Sequence, residues 1–209
     1  MAEGVPAPTL DRERAAWAAG ARWVAGVDEV GVGAMAGPVT AAAVALPAEA
    51  RFRWFAEVRD SKVLLPRMRE RLAAEIRSTV PWAVGWASAR EVDDLGLTEA
   101  RRRAALRALE ALGLSPDAVI SDALTLPVPG NVALVDADAL CVSVAAASIL
   151  AKVARDAHMV ELCERVPGYA FCRHKGYVTP EHKALLARRG PSAEHRRRFA
   201  PVSQLALPW

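Results

Sequence analysis

The chain has 209 residues, of which 53% are hydrophobic, so it is long enough to bury one substantial core. No apolar run reaches the ~18 residues that a membrane span needs, and the N-terminus lacks the basic start of a secretory signal. The formal net charge of +3 is compatible with a polyanionic partner. The three cysteines are odd in number and form no C-x-x-C motif, which favours a reducing compartment. We therefore expect a soluble, cytoplasmic protein without membrane contact.

Two strands and a helix are predicted in the first third, after an alanine-rich lead-in over residues 1–20. The β-branched content of Val24–Glu29 and Val39–Leu46 predicts strands, and the glycines between them predict a turn. Pro66 fits the first turn of a helix, because apolar residues follow it at a spacing of three and four.

The middle of the chain alternates strand and helix. Trp82–Ala89 has the composition of a strand, and Thr98 to Leu112 has an apolar helix face that ends before Gly113. The other face of this helix is basic, and such a run is either a solvated surface or a set of phosphate contacts. Its members are Arg101, Arg102, Arg103 and Arg107.

Short apolar segments that lead to carboxylates come next, followed by helices. Ala118–Asp122 is predicted as a buried strand, and the apolar segment at 132–135 leads to Asp136 and Asp138. The longest helix is predicted over about residues 143–165, and Thr179 begins one more helix before a basic coil. Strands first, and then strands mixed with helices, indicate an α/β fold whose sheet is not wholly parallel.

Asp28 and Glu29 stand near the end of the first predicted strand and are followed by Gly31-Val32-Gly33. Adjacent carboxylates are costly to bury unless a positive charge lies beside them, and Mg²⁺ prefers carboxylate oxygens while leaving positions for phosphate oxygens. Glycines let the backbone approach a ligand closely. The alternatives are an exposed acidic turn and a tight turn between strands.

Because strand ends meet at one edge of an open α/β sheet, Asp122 and Asp138 are expected to join this pair. Four carboxylates suit a two-metal site, with ions ~3.5–4 Å apart that promote attack on a phosphodiester. Successive side chains of a strand point to opposite faces. The strand must therefore end or twist at Glu29 if Asp28 and Glu29 are to serve one centre.

Five sequence blocks, in order along residues 22–205, resemble the ribonuclease HII family. The blocks are Gly26–Gly33 with Gly37-Pro38-Val39, Asp60-Ser61-Lys62, Ala145–Asp156, His174-Lys175-Gly176-Tyr177, and His195-Arg196 with Phe199. The resemblance implies an RNase H-like fold, with a mixed central sheet flanked by helices and a small C-terminal helical lobe. It divides the single domain into the lead-in 1–20, a catalytic core 21–166 and a lobe 167–209.

The resemblance also implies an activity. It implies an endonuclease, dependent on Mg²⁺ or Mn²⁺, that cuts RNA in RNA–DNA hybrids and at ribonucleotides embedded in duplex DNA, leaving 3′-hydroxyl and 5′-phosphate ends. The family's metal and catalytic carboxylates fall on Asp28, Glu29, Asp122 and Asp138. Asp138 is preferred over Asp136 because it precedes Ser148 by the family's ten residues, and Asp136 remains the alternative.

Substrate contacts are carried over in the same way. The tripeptide that holds the ribose 2′-hydroxyl falls on Gly31, Val32 and Gly33, and the tyrosine that stacks at the RNA–DNA junction falls on Tyr177. A core aromatic is the alternative for Tyr177. Lys62 is interpreted as a phosphate contact, and Lys152 as a supporting charge.

Four positions depart from the family pattern. Val32 replaces an arginine, Ala123 a glycine, Arg101 an asparagine and Arg198 a serine. The two new arginines could restore phosphate affinity lost at Val32. A diverged paralogue that binds hybrid duplex but cuts weakly is the main alternative, and a phosphohydrolase of small esters is a third. The basic stretch from Arg188 to Arg198 favours a long polyanion, and we expect a monomer.

Overall fold

One mixed sheet of five strands organises the protein. The computed structural model describes residues 7–205; the first six residues of the predicted lead-in and residues 206–209 lie outside the described part. The strand order is β3-β2-β1-β4-β5. β1 pairs antiparallel with β2 and parallel with β4, which confirms the prediction of a sheet that is not wholly parallel. The strands are β1 Trp23–Val30, β2 Val39–Pro47, β3 Trp82–Ala87, β4 Ala118–Asp122 and β5 Asn131–Leu134.

Helices cover both faces of the sheet, and a short 3₁₀ helix follows β2. The helices are α1 Asp11–Ala18, α2 Pro66–Thr79, α3 Ala89–Leu95, α4 Leu97–Glu110, α5 Ala137–Leu140, α6 Val142–Arg165, α7 Phe171–His174, α8 Pro180–Arg189 and α9 Ala200–Ser203, and the 3₁₀ helix is Arg53–Ala56. The alanine-rich β2 lets both layers approach closely: Ala41 and Ala43 face the α4 side, and Ala42 faces the α6 side. Helix α6 crosses β1 so closely that a Cβ on Gly26 would lie 2.2 Å from the Ser143 carbonyl carbon.

Two predicted segments differ in the structure. The third strand ends at Ala87 because Ser88 and Glu91 form a reciprocal capping box that starts α3. Residues 169–205 contain three short helices, α7, α8 and α9, where the sequence predicted one. Two of these have only four residues, too few to show the apolar periodicity on which the prediction depends.

Two of the three cysteines are paired in the structure. Cys163 of α6 and Cys172 of α7 form a disulfide, and this pairing weakens the argument for a reducing compartment from the cysteine count. Cys141 is free and buried, and burial raises the pKa of its thiol to about 12. Within residues 7–205, no helix combines the length and hydropathy that a membrane crossing requires.

Candidate active site

The parallel register of β1 and β4 gathers carboxylates at one edge of the sheet. Val27 stands beside Ser121 in this register, so the next pair along is Asp28 and Asp122. Asp138 lies nearby in α5 and is 5% exposed. A cleft of about 440 Å³ is lined by Asp28, Glu29, Val30, Ser61, Lys62, Arg69, Ser148, Lys152 and Tyr177.

Asp28 and Glu29 leave β1 on opposite faces, as strand alternation requires. The strand does not end at Glu29 but continues to Val30, which corrects the expectation of a strand end at the acidic pair. Glu29 lies on the α4 side, where Arg101 Nη2 is 2.6 Å from its Oε1. Asp28 lies on the α6 side, where the Ser148 side chain favours its charged form.

Negative charge accumulates around Asp28. Burial and then the charge of Glu29 raise the pKa of Asp28 well above its usual range, and Asp122 and Asp138 add to this shift. An exposed cation, Lys62, lies beside these carboxylates, with its Nζ 3.6 Å from Asp138 Oδ2. Burial opposes the charged lysine, but the surrounding carboxylates outweigh it and raise the pKa of Lys62.

The carboxylates fit a hard divalent cation by donor chemistry. A cation beside Asp28 would relieve the repulsion that now opposes its ionisation. Across residues 7–205, however, no three Asp, Glu, His or Cys side chains already converge as a ligand set. Two carboxylates are engaged elsewhere: Glu29 binds Arg101, and Asp122 Oδ1 accepts a hydrogen bond of 2.8 Å from the Ala137 N–H.

The two alternative aspartates occupy different environments. Asp138 is buried and faces Lys62, whereas Asp136 is exposed and has a left-handed backbone (φ 56°) at the start of α5. Only Asp138 therefore lies within the acidic cluster. This geometry supports Asp138 as the fourth carboxylate.

Two buried arginines donate hydrogen bonds to the glycine loop, which comprises residues 31–38 between β1 and β2. The Arg155 guanidinium donates to the carbonyls of Pro38, Lys175 and Ala36. Arg196 donates to the carbonyls of Gly37 and Val32, while its Nη2 has no hydrogen-bond partner. Burial, followed by the charge of Arg155, lowers the pKa of Arg196 to about 10.

Neither guanidinium forms an ion pair within the described part of the chain. Two positive charges without a carboxylate at ion-pair distance therefore lie against the loop in the described part of the chain. Arg155 and Arg196 lie within the family blocks, but the sequence predicts no role for either. A charged residue amid the apolar pattern of the longest helix was the only signal for Arg155.

Tyr177 lies beside this loop and lines the same cleft as the carboxylates. Its ring is half-buried and contacts two cations of α6, with Lys152 Nζ at 5.5 Å and Arg155 Cζ at 5.1 Å from the ring centroid. An antiparallel bridge joins Tyr177 to Ala34 within the loop. The glycine loop and the tyrosine thus form one surface.

A chain of buried histidines holds the Tyr177 backbone. His195 Nδ1 accepts from the Ser192 N–H, so the proton of its neutral ring is on Nε2, 3.1 Å from His182 Nε2. His182 then carries its proton on Nδ1 and donates to the Tyr177 carbonyl at 2.9 Å. Burial lowers the pKa of both rings to about 4, which keeps them neutral near pH 7.

Gly31 and Gly33 should respond differently to alanine. A Cβ on Gly31 would lie 2.2 Å from Arg155 Nε, and its φ of +87° disfavours any side chain; Gly33 is exposed and has nothing within 4 Å. Gly31→Ala should therefore lower the melting temperature, while Gly33→Ala should leave it unchanged. If the loop contacts the substrate, Gly33→Ala should still weaken duplex binding in an anisotropy titration. Full binding by Gly33→Ala would show that the loop tip does not touch the duplex.

The departures from the family pattern now have structural contexts. Ala123 has a positive φ of 46°, the backbone conformation that glycine adopts at least cost. Arg198 is exposed.

The basic face of α4 is neither freely solvated nor a ready phosphate surface, because its arginines bind carboxylates. Arg101 binds Glu29, Arg102 and Arg103 bind Glu99, and Arg107 binds Glu91.

A mixed five-stranded sheet between helical layers, with carboxylates at the ends of the neighbouring strands β1 and β4, defines the class of RNase H-like nucleases. The crystal structure of ribonuclease H2 from Pyrococcus horikoshii OT3 superimposes with a TM-score of 0.73, at 25% identity, over 87% of this chain and 95% of that one. The structure of Bst-RNase HIII in complex with Mn²⁺ gives a TM-score of 0.66 at 23% identity, over 87% of this chain and 68% of that one.

Sequence comparison places the chain within this class. The family model described as Ribonuclease HII matches residues 25–202. A ribonuclease HII from Thermus thermophilus is 51% identical over 187 residues, which cover 88% of this chain and 89% of that protein. The chain therefore belongs to the ribonuclease HII family, and it is an enzyme, a ribonuclease H of type 2. The family resemblance and the RNase H-like fold are both confirmed.

Proposed function

We propose that this enzyme hydrolyses the RNA strand of RNA–DNA hybrids and cuts at single ribonucleotides in duplex DNA, leaving 3′-hydroxyl and 5′-phosphate ends. One observation carries the proposal. The cleft that contains Asp28 and Glu29 also contains Tyr177, and Tyr177 is bridged to the glycine loop. The carboxylates proposed to bind the catalytic metal and the surface proposed to recognise a ribose are therefore neighbours.

The proposed metal ligands are Asp28, Glu29, Asp122 and Asp138, and the proposed ions are Mg²⁺ or Mn²⁺. Bound divalent ions would promote attack by water and stabilise the leaving oxygen of the phosphodiester. The Mn²⁺ in a structurally similar ribonuclease HIII supports this choice of ion. Support from this chain comes from the raised pKa of Asp28, which reflects burial and then the neighbouring negative charges.

The remaining residues would position the substrate. The backbone of Gly31 to Gly33 would bind the 2′-hydroxyl, and the Tyr177 ring would stack on the adjoining nucleotide, the combination by which proteins distinguish ribose from deoxyribose. The Lys62 side chain is 79% exposed at the mouth of the cleft and would bind a phosphate. Val32 adds no charge, so the buried guanidiniums of Arg155 and Arg196 would supply the positive potential beneath the strand.

The test is a cleavage assay on three matched duplexes: an RNA–DNA hybrid, a DNA duplex with one embedded ribonucleotide, and the same duplex without it. We expect cleavage of the first two in Mg²⁺ or Mn²⁺, none in chelator, and none of the all-DNA duplex. End-labelling of both strands would identify the product ends. Cleavage that persists in chelator would contradict the metal assignment.

All four proposed carboxylates are present in the chain, so we do not favour the weakly catalytic paralogue or the hydrolase of small esters. A monomeric, cytoplasmic enzyme remains our proposal. Light scattering would report the oligomeric state, and cell fractionation would report the location.

A further inference from the structure

Arg101 makes a contact that sets it apart from the neighbouring arginines of α4. Its Nη2 and Nε lie 2.6 Å and 2.8 Å from the same Glu29 oxygen, across 72 residues of sequence. Arg102 and Arg103 instead bind Glu99 one turn away on their own helix. Arg101 is therefore the arginine of α4 that reaches the acidic end of β1.

This ion pair is shielded from solvent. The side chains of Arg101 and Glu29 are 22% and 6% exposed, whereas those of Arg102 and Glu99 are 34% and 39% exposed. A shielded pair is screened less by salt than an exposed one. Removing one partner of such a pair leaves the other as an uncompensated charge.

While Arg101 binds Glu29, this carboxylate is not free to bind a metal ion. The other carboxylates of the cluster have no comparable guanidinium partner in the part of the chain that the structure describes: Asp138 faces the exposed Lys62, and Asp122 accepts from a backbone N–H. A divalent cation that uses Glu29 must displace Arg101 or share the carboxylate with it.

We propose that Arg101 is an internal cation that competes with the divalent metal for Glu29 and thereby sets the metal affinity of the enzyme. This inference rests on the proposed metal centre. It makes Arg101 a positioning residue that acts through Glu29. When Glu29 is free only a fraction of the time, the apparent dissociation constant rises by the inverse of that fraction.

The experiment measures Mn²⁺ binding to the full-length protein without substrate, by calorimetry or by the EPR signal of free Mn²⁺. Arg101→Gln removes the charge but keeps a polar side chain of similar length. If Glu29 is free about one tenth of the time, this variant should bind Mn²⁺ about tenfold more tightly than wild type. Its melting temperature in chelator should fall, because Glu29 loses its counter-ion, and Mn²⁺ should restore it.

Three controls make the result specific. Arg102→Gln, on the same helix but paired with Glu99, should bind Mn²⁺ as wild type does. Arg101→Lys keeps the charge and should stay close to wild type. In a Glu29→Gln background, Arg101→Gln should no longer tighten Mn²⁺ binding, because the carboxylate that Arg101 contests is gone.

The outcomes separate the inference from the proposed function. If wild type binds Mn²⁺ and a folded Arg101→Gln binds it equally or more weakly, Arg101 does not compete for Glu29, and the inference is overturned while the metal centre stands. If Arg101→Gln does not fold, Arg101→Met takes its place: tighter Mn²⁺ binding by Arg101→Met supports the inference, and equal or weaker binding contradicts it. If neither wild type nor a folded Arg101→Gln binds Mn²⁺, the metal centre and the inference both fail.

Discussion

Replacing Asp28 by asparagine should abolish cleavage and, at the same time, stabilise the metal-free protein. Asp28 is 6% exposed, and the charges of Glu29, Asp122 and Asp138 all oppose its ionisation. Asparagine removes this repulsion while keeping the size of the side chain, so the melting temperature in chelator should rise. Loss of one anionic metal ligand should cost several kcal/mol of transition-state stabilisation, a fall in rate of about a thousandfold or more.

Single-turnover cleavage of the duplex with one ribonucleotide, together with melting curves in chelator, would measure both effects. The matched controls are Asp138→Asn and Asp136→Asn. Cleavage should be lost with Asp138, which is buried in the cluster, and retained with Asp136, which is exposed. Near-normal turnover by Asp28→Asn would remove the metal assignment altogether.

Replacing Tyr177 by alanine should weaken cleavage at a single ribonucleotide by about 1–3 kcal/mol, the range for stacking of an aromatic side chain on a base. The fold should tolerate the change. The histidine chain holds the Tyr177 carbonyl, and Arg155 holds the neighbouring Lys175 carbonyl, both without the ring. The lost cation–π contact with the partly exposed Lys152 is worth about 0.5–1 kcal/mol, and the one with the buried Arg155 about 2 kcal/mol.

Tyr177→Phe is the control, because it keeps the stacking ring and removes only the hydroxyl. It should retain most of the cleavage rate that the alanine variant loses, with rates compared per folded molecule and melting curves recorded in parallel. A large fall in the melting temperature of Tyr177→Ala, with cleavage per folded molecule preserved, would identify Tyr177 as a core aromatic instead.

Local pattern was sufficient for most of the secondary structure. β-branched runs predicted β1 and β2 to within a residue or two, and apolar periodicity predicted α2, α4 and α6. These elements are long, and each buries a face whose spacing is visible in the sequence. The four-residue helices α5, α7 and α9 escaped prediction because so short a segment has no period.

The residues of the candidate site could likewise be predicted from the sequence only in part. The acidic pair and the glycines were visible in the sequence because their chemistry is unusual for their positions. The strand ends added Asp122 and Asp138, and the family resemblance added Tyr177. The sequence by itself therefore determined the fold class, the family and the residues from which a site could be built.

Only the tertiary structure decided how these residues are paired. Strand alternation turned Glu29 towards Arg101, 72 residues away, and the crossing of α6 placed Arg155 under the glycine loop. Cys163 pairs with Cys172 because α7 folds back onto α6. Each pairing depends on register, helix crossing and burial, which arise when distant segments pack together, and no local stretch of sequence contains that information.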